Sequence, residues 1–256
     1  MMRMFHLGSR RGCLLSLTST AAVVLVLWTT DPEQVSLSLP PSPDPEQGPR
    51  ASTPAVFSSR RRRYERVCGR VGNLPGHVQS VFAHRPTGVV YCHVPKAGCT
   101  FWKRVFNFVN NKSSSIFSTS RYQVHFNNTV SEPYNPSTHR LERYPTRILV
   151  ARDPLDRVLS SYLDKLYLPD FWHSLGMRIS RQARRREDSA EQVTCGKYVT
   201  FSEFVSASFG EPEVHWDPVH SVCNPCRFRP THVSLMPTFS SDAKAILSDM
   251  GHKHVL

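Results

Sequence analysis

Apolar and polar positions fall into two strand-turn-helix units. In the first, Val89 to Val94 is a mostly apolar, β-branched run that reads as a buried strand. A turn at Pro95 to Thr100 follows, and then Phe101, Trp102, Val105, Phe106 and Val109 recur at helical spacing. In the second, Arg147 to Ala151 reads as a strand. Asp153 is placed to cap the next helix, with Pro154 at its first position. Leu155, Val158, Leu159, Tyr162, Leu163 and Leu166 give that helix one apolar face.

The N-terminus has a different pattern. Arg3, Arg10 and Arg11 precede an uncharged run from Gly12 to Thr30, long enough at ~1.5 Å per residue to cross a thin bilayer once. Positive charge before the run and Asp31 and Glu33 after it predict a cytosolic tail (1–11), an uncleaved signal anchor (12–30) and everything beyond in the lumen, a type II topology. Residues 31–63 read as a stem: seven prolines from Pro32 to Pro54 lie among Ser, Gln and Asp, too polar to bury a core. The basic run Arg60 to Arg63 closes it as a solvated boundary without chemistry. Residues 64–256 form the expected single folded domain.

The charge balance narrows the partners. The 256 residues carry 32 Lys and Arg against 20 Asp and Glu, a net +12 that favours anions: nucleic acid, acidic lipid, phosphate or sulfate, or acidic polysaccharide. Lumenal placement opposes nucleic acid. Beyond Cys13 six cysteines remain, Cys68, Cys92, Cys99, Cys195, Cys223 and Cys226, and structural disulfides are the expected use. The Cys223-Asn-Pro-Cys226 pair, with His215 and His220 near, leaves zinc as a minor alternative, since no second CxxC is present. Asn111 and Asn127 head sequons and are candidate glycan sites.

The turns carry the candidate chemistry. Lys96, Ala97, Gly98, Cys99 and Thr100 would present backbone amides, a lysine and a hydroxyl at a helix N-terminus, an arrangement that favours phosphate or sulfate. The loop is not a Walker A motif, because the lysine precedes the glycine. Arg152 at the second strand end and Ser160 two turns into the helix could grip another anion; taken alone, Arg152 could merely pair with Asp156 on the surface.

The segment VYCHVPKAGCTFWKRV resembles the 5′-phosphosulfate-binding loop of Golgi carbohydrate sulfotransferases, and VARDPLDRVLSSYLDKL resembles their 3′-phosphate-binding segment. His215, Trp216, Cys223, Cys226 and the later TFSSDAKAIL are similar to further segments of the chondroitin, dermatan and GalNAc 4-O-sulfotransferase family (sulfotransferase family 2), over about residues 64 to 250. The resemblance implies a P-loop-like α/β fold with a parallel sheet flanked by helices. It implies 3′-phosphoadenosine 5′-phosphosulfate as co-substrate, no metal, a glycan acceptor containing GalNAc or uronic acid, and a Golgi membrane location. On the matching positions Pro95 to Phe101 would cradle the 5′-phosphosulfate and Arg152 and Ser160 the 3′-phosphate, with Asp153 and Arg157 in the same segment. Lys96 would stabilise the departing phosphate. A sugar hydroxyl needs a general base, for which His215 leads, ahead of His93, His125 and Glu203. The stretch Arg178 to Arg186 would contact an acidic glycosaminoglycan.

After Cys226 the family usually carries a Tyr-Asp pair and a glutamate before the threonine, where this chain has Pro230-Thr231 and Pro237. A further C-terminal segment is also expected beyond Leu256. The alternative function is therefore a catalytically impaired member acting as a membrane-anchored glycan- or nucleotide-binding module. A lumenal nucleotide kinase fits less well, lacking the Walker pattern.

Overall fold

The computed structural model describes residues 53–72, 75–126, 131–133, 135, 140–184, 196–197, 199–210 and 212–255. The anchor, residues 31–52 of the stem, Asn127, Cys195 and Arg185–Arg186 lie outside them. No helix among the described residues is long and apolar enough to cross a membrane.

Five strands form one sheet: β1 (Ser80–His84), β2 (Val89–Cys92), β3 (Ser131–Pro133), β4 (Thr146–Ala151) and β5 (His232–Leu235), in the order β3-β1-β2-β4-β5. β2, β4 and β5 run parallel, with Cys92 opposite Leu149 and Leu149 opposite Val233. The expected parallel sheet is thus mixed, because β1 is antiparallel to both β2 and β3. A short 3-10 turn at Arg85–Thr87, closed by left-handed Gly88, joins β1 to β2. So short a link allows only an antiparallel return.

Nine helices surround the sheet among the described residues: α1 (Pro54–Val71), α2 (Cys99–Val109), α3 (Arg121–Phe126), α4 (Pro154–Tyr162), α5 (Met177–Arg184), α6 (Phe201–Ser208), α7 (Val219–Val222), α8 (Pro225–Phe228) and α9 (Phe239–Asp249). All four residues of β2 are buried. Trp102, Val105, Phe106 and Val109 of α2 are buried as their spacing predicts. The ring of Tyr91 lies 5.9 Å from Trp102 and 6.1 Å from Phe106. Each such burial contributes ~1.5–3 kcal/mol. A smaller cluster, including Leu166, Ile179, Phe204 and Trp216, joins the end of the α4 segment to α5 and α6.

The stem boundary and the buried face of α4 also differ from expectation. The stem was expected to reach residue 63, yet α1 starts at Pro54 and buries Phe57 to 4% exposure. Arg60, expected to lack chemistry, donates from Nη1 to Asp242 Oδ2 (2.8 Å) and the Val233 carbonyl (2.9 Å), and from Nη2 to Thr238 Oγ1 (3.0 Å). One turn apart, Phe57 and Arg60 form the face that α1 lays against β5. The second correction concerns α4. Its leucines do not form a buried face: Leu155 is 80% exposed and Leu159 45%, whereas Arg157 (3%) and Ser161 (0%) point inward. Charge burial is possible there because backbone carbonyls await the guanidinium.

Two disulfides, Cys68–Cys226 and Cys92–Cys223, tie α1 to α8 and β2 to the end of α7. Both cysteines of Cys223-Asn-Pro-Cys226 are therefore consumed in separate bonds, which overturns the zinc and thioredoxin-type readings of that pair. Cys99 is a free, buried thiol.

Candidate active site

Because β2 and β4 are adjacent and parallel, the loops leaving their carboxyl ends emerge side by side, the usual ligand-binding edge of such sheets. The loop after β2 takes the left-handed conformation at Lys96 (φ 66°) and at Gly98 (φ 69°). Gly98 suits this geometry, and a Cβ there would lie 2.6 Å from the Phe239 ring. A lysine held left-handed costs on the order of 1 kcal/mol, strain of the kind kept at functional sites. No side chain caps α2, so the amides of Cys99, Thr100 and Phe101 lack intrahelical acceptors and favour an anion.

Two arginines hold this loop by its carbonyls and leave its amides available. Arg152 Nη1 donates to the Lys96 carbonyl (3.0 Å) instead of pairing with Asp156. Arg157 Nε donates to the Pro95 carbonyl (3.0 Å), its Nη2 to the Val214 carbonyl (2.7 Å), and its Nη1 to the Asp217 carbonyl. Arg157, expected among the cofactor ligands, is a strut between the loop after β2 and residues 214–217. Asp153 is likewise committed to capping α4, accepting from the amides of Leu155 (2.9 Å) and Asp156 (3.2 Å). Ser160 is half-buried on α4. Its neighbour Ser161 donates to the His215 carbonyl (2.7 Å), a contact that the sequence reading did not foresee. Pro95, Ala97 and Cys99 are buried and offer the loop only backbone groups, while Phe101 packs on Phe239 (5.3 Å between centroids).

The charged groups at the loop form a set. Lys96 Nζ lies 2.9 Å from Asp164 Oδ2; Arg121 also bonds Asp164, and Lys165 is 3.7 Å away. Burial pushes the Asp164 carboxyl up, but Lys96 and Arg121 outweigh it and hold its pKa at about 2. Asp164 and Lys165 sit on a π-helical continuation of α4, Leu163–Tyr167, a form that recurs at functional sites.

Thr100 Oγ1 is 2.9 Å from His125 Nε2, and Lys103 Nζ is 3.3 Å from His125 Nδ1. Burial and the charge of Lys103 lower the His125 pKa to about 4, so the ring is neutral near pH 7. An ammonium can only donate; Nδ1 therefore accepts, Nε2 carries the proton, and that N–H donates to Thr100 Oγ1. The Thr100 hydroxyl proton is then free to point at an anion in the loop. His93 beneath is pushed to about pKa 3, mainly by burial.

His215 is differently disposed. Its Nδ1 lies 2.7 Å from Glu213 Oε1, and Glu213 Oε2 also accepts from the His215 amide (3.0 Å). Burial raises the Glu213 carboxyl, but His215 outweighs it and leaves the pKa below its ordinary value. In the neutral ring the carboxylate favours the Nδ1–H tautomer, with the lone pair on Nε2. The dyad lines a cleft of about 390 Å³ with Lys165, Phe171, Leu175 and Arg178. Of the other base candidates, His93 and His125 hold protons too weakly. Glu203 caps α6, its Oε2 accepting from the Thr200 amide (2.7 Å). Trp216 is packed edge-on against Phe204 (5.2 Å).

Glu213, Asp164, Lys103 and Lys165 were not singled out from sequence. The only signal for Glu213 was its place two residues before His215; those for Asp164 and Lys165 were hidden in an apparently ordinary amphipathic helix. Asn111 is exposed at the end of α2 in the left-handed region (φ 56°).

The sulfotransferase family model matches residues 79–256. Human carbohydrate sulfotransferase 8 (Homo sapiens) is 30% identical over 196 residues, 73% of this chain and 46% of the relative. Zebrafish carbohydrate sulfotransferase 14 (Danio rerio) is 28% identical over 217 residues, 77% of this chain and 58% of the relative. Mouse carbohydrate sulfotransferase 11 (Mus musculus) is 28% identical over 193 residues, 69% of this chain and 54% of the relative. The chain thus spans about half the length of the curated relatives it matches. No solved structure matches it significantly. With the family model covering residues 79–256 and with these relatives, the chain belongs to the sulfotransferase family.

Proposed function

We propose that the protein transfers the sulfuryl group of 3′-phosphoadenosine 5′-phosphosulfate to a hydroxyl of a glycan containing GalNAc or uronic acid, of chondroitin or dermatan type. One observation carries the reading: Arg157 bonds both the anion loop and the segment bearing His215 and Glu213. In this reading that bridge would hold a donor site and a base in one frame.

The loop amides, the Thr100 hydroxyl and Lys96 would receive the 5′-phosphosulfate, with Lys96 exchanging Asp164 for the donor. Arg152 and Ser160 would take the 3′-phosphate. His215 Nε2 accepts the proton of the attacking hydroxyl, and Glu213 stabilises the imidazolium that forms. The S–O bond to the donor phosphate breaks as the new S–O bond to the sugar forms. Negative charge gathers on the departing phosphate oxygen, where Lys96 and the amides meet it in a site poor in water. Arg178 and Lys165 in the cleft suit an acidic acceptor. The chain's own residues supply these steps, and the reading calls on no metal.

The same reading places the protein in the Golgi membrane through residues 12–30, with the stem and a lumenal domain glycosylated at Asn111 and Asn127. It is tested by transfer of radiolabelled sulfate onto desulfated chondroitin, dermatan and GalNAc- or glucuronate-terminated acceptors. Product is expected from the full chain, with a loss of about 10²-fold or more in His215→Asn. Nucleotide binding without product on any acceptor would overturn transferase activity and favour the binding module instead.

A further inference from the structure

A second cleft of the described residues lies away from the loops. It measures about 560 Å³ and opens beside α1 and α8, lined by Arg61, Tyr64, Glu65, Arg147, Arg227 and Arg229 among others. Arg147 lies at the start of β4, whereas Arg152 follows its end. Five residues at ~3.3 Å each put the cleft roughly 16 Å from the transfer site, at the opposite edge of the sheet. Four guanidinium groups stand there against one carboxylate.

Those arginines are of two kinds. Arg147 is built in: Nε donates to the Arg229 carbonyl (2.6 Å), and Nη1 to the carbonyls of Tyr144 (2.8 Å) and Leu141 (3.2 Å). These acceptors are neutral, and burial lowers its pKa, with Arg61 and Arg229 adding to the effect against Tyr64 and Glu142. Arg227 and Arg229 are exposed, and their guanidinium groups have no hydrogen-bond or ion-pair partner among the described residues. Arg61 pairs with exposed Glu65 (2.8 Å) and, more weakly, with the Tyr64 hydroxyl. Half-buried Tyr64 gives the cleft an aromatic wall, and the Cys68–Cys226 disulfide fixes α1 against α8 at its base.

We propose that this cleft is a second binding site for an acidic saccharide, taking a sulfate or carboxylate group on its arginines and a sugar face on Tyr64. The proposal rests on the glycan-directed function above and deepens it: a polymeric substrate would be held at two places. Its concave shape, sized for one or two sugar units, and its phenol favour a saccharide over the flat headgroup surface of an acidic membrane.

The probe is a fluorescent chondroitin 4-sulfate octasaccharide, titrated into the full chain. Wild type and the Lys96→Ala, His215→Ala double variant are expected to bind it alike, whereas Arg61→Ala with Arg227→Ala weakens binding about tenfold or more. Both substituted arginines are exposed, and an unchanged thermal shift with 3′-phosphoadenosine 5′-phosphate would verify folding of that variant. Binding unaffected by the arginine pair, or abolished by the Lys96 and His215 pair, would overturn the proposal. So would capture by phosphatidylserine vesicles with no octasaccharide binding. Transfer to a disaccharide acceptor, too short to span both sites, is expected to be unchanged in the arginine variant. Its absence in wild type would refute the transferase reading alone, since octasaccharide binding reports this cleft separately.

Discussion

Replacing Arg157 by leucine would test whether one side chain organises both halves of the site. Leucine keeps bulk on the inward face of α4 but leaves the carbonyls of Pro95, Val214 and Asp217 without their donor. Charge-assisted hydrogen bonds contribute ~1.5–3 kcal/mol each, and partial hydration of freed carbonyls returns some of that. A net loss of about 3–5 kcal/mol is expected, in line with other losses of buried charged groups. For a domain of this size that lowers Tm by roughly 10 °C. Arg157→Lys, whose single ammonium cannot reach all three carbonyls, should fall between leucine and wild type. Melting followed by circular dichroism gives the stability, and sulfate transfer below Tm gives the activity. Because both the loop and the His215 segment lose their common anchor, kcat/KM should fall even where the fold persists. A leucine variant with wild-type Tm and activity would refute the strut role.

Removing the carboxylate in Asp164→Asn should free Lys96 and relieve repulsion of the donor, so that 3′-phosphoadenosine 5′-phosphate binds a few-fold more tightly by calorimetry; weaker binding would mean that Asp164 orients Lys96 instead. Arg60→Ala would strand the fully buried Asp242 carboxylate, with an expected loss of about 3–5 kcal/mol in denaturant unfolding. His93, held at about pKa 3 by burial, binds no proton in the folded state between pH 6.5 and 5, while the unfolded chain does. Stability should therefore fall by about 2 kcal/mol over that window, recovering as pH rises to 6.5, and His93→Gln should flatten this slope in Tm measured against pH.

The sequence made α2 and its loop legible because both obey local rules: a buried β-branched strand, a glycine at a tight turn and apolar residues at helical spacing. The Asp153 cap was readable for the same reason. α4 was misread because its leucines suggested burial, while the true inward face is polar and owes its stability to carbonyls 57 to 62 residues away in sequence. Long-range pairing also hid the role of Arg60, which looked like one charge in a basic run until Asp242 placed it against β5. The antiparallel strands β1 and β3 escaped notice, since neither is attached to a helical pattern. Within the candidate site, Lys96 and His215 were singled out as isolated residues. Their partners Asp164 and Glu213 depend on a π-helical turn and on a loop whose course only the tertiary structure gives.

The central claim is that the loop after β2 and Arg152 after β4 together grip the donor nucleotide. Calorimetric titration of the full chain with 3′-phosphoadenosine 5′-phosphate tests it most directly, beside Lys96→Ala and Arg152→Ala. One molecule should bind per chain, about tenfold or more weaker in each variant, with affinity falling as salt rises. No binding to a folded chain, or binding indifferent to both substitutions, would contradict the account.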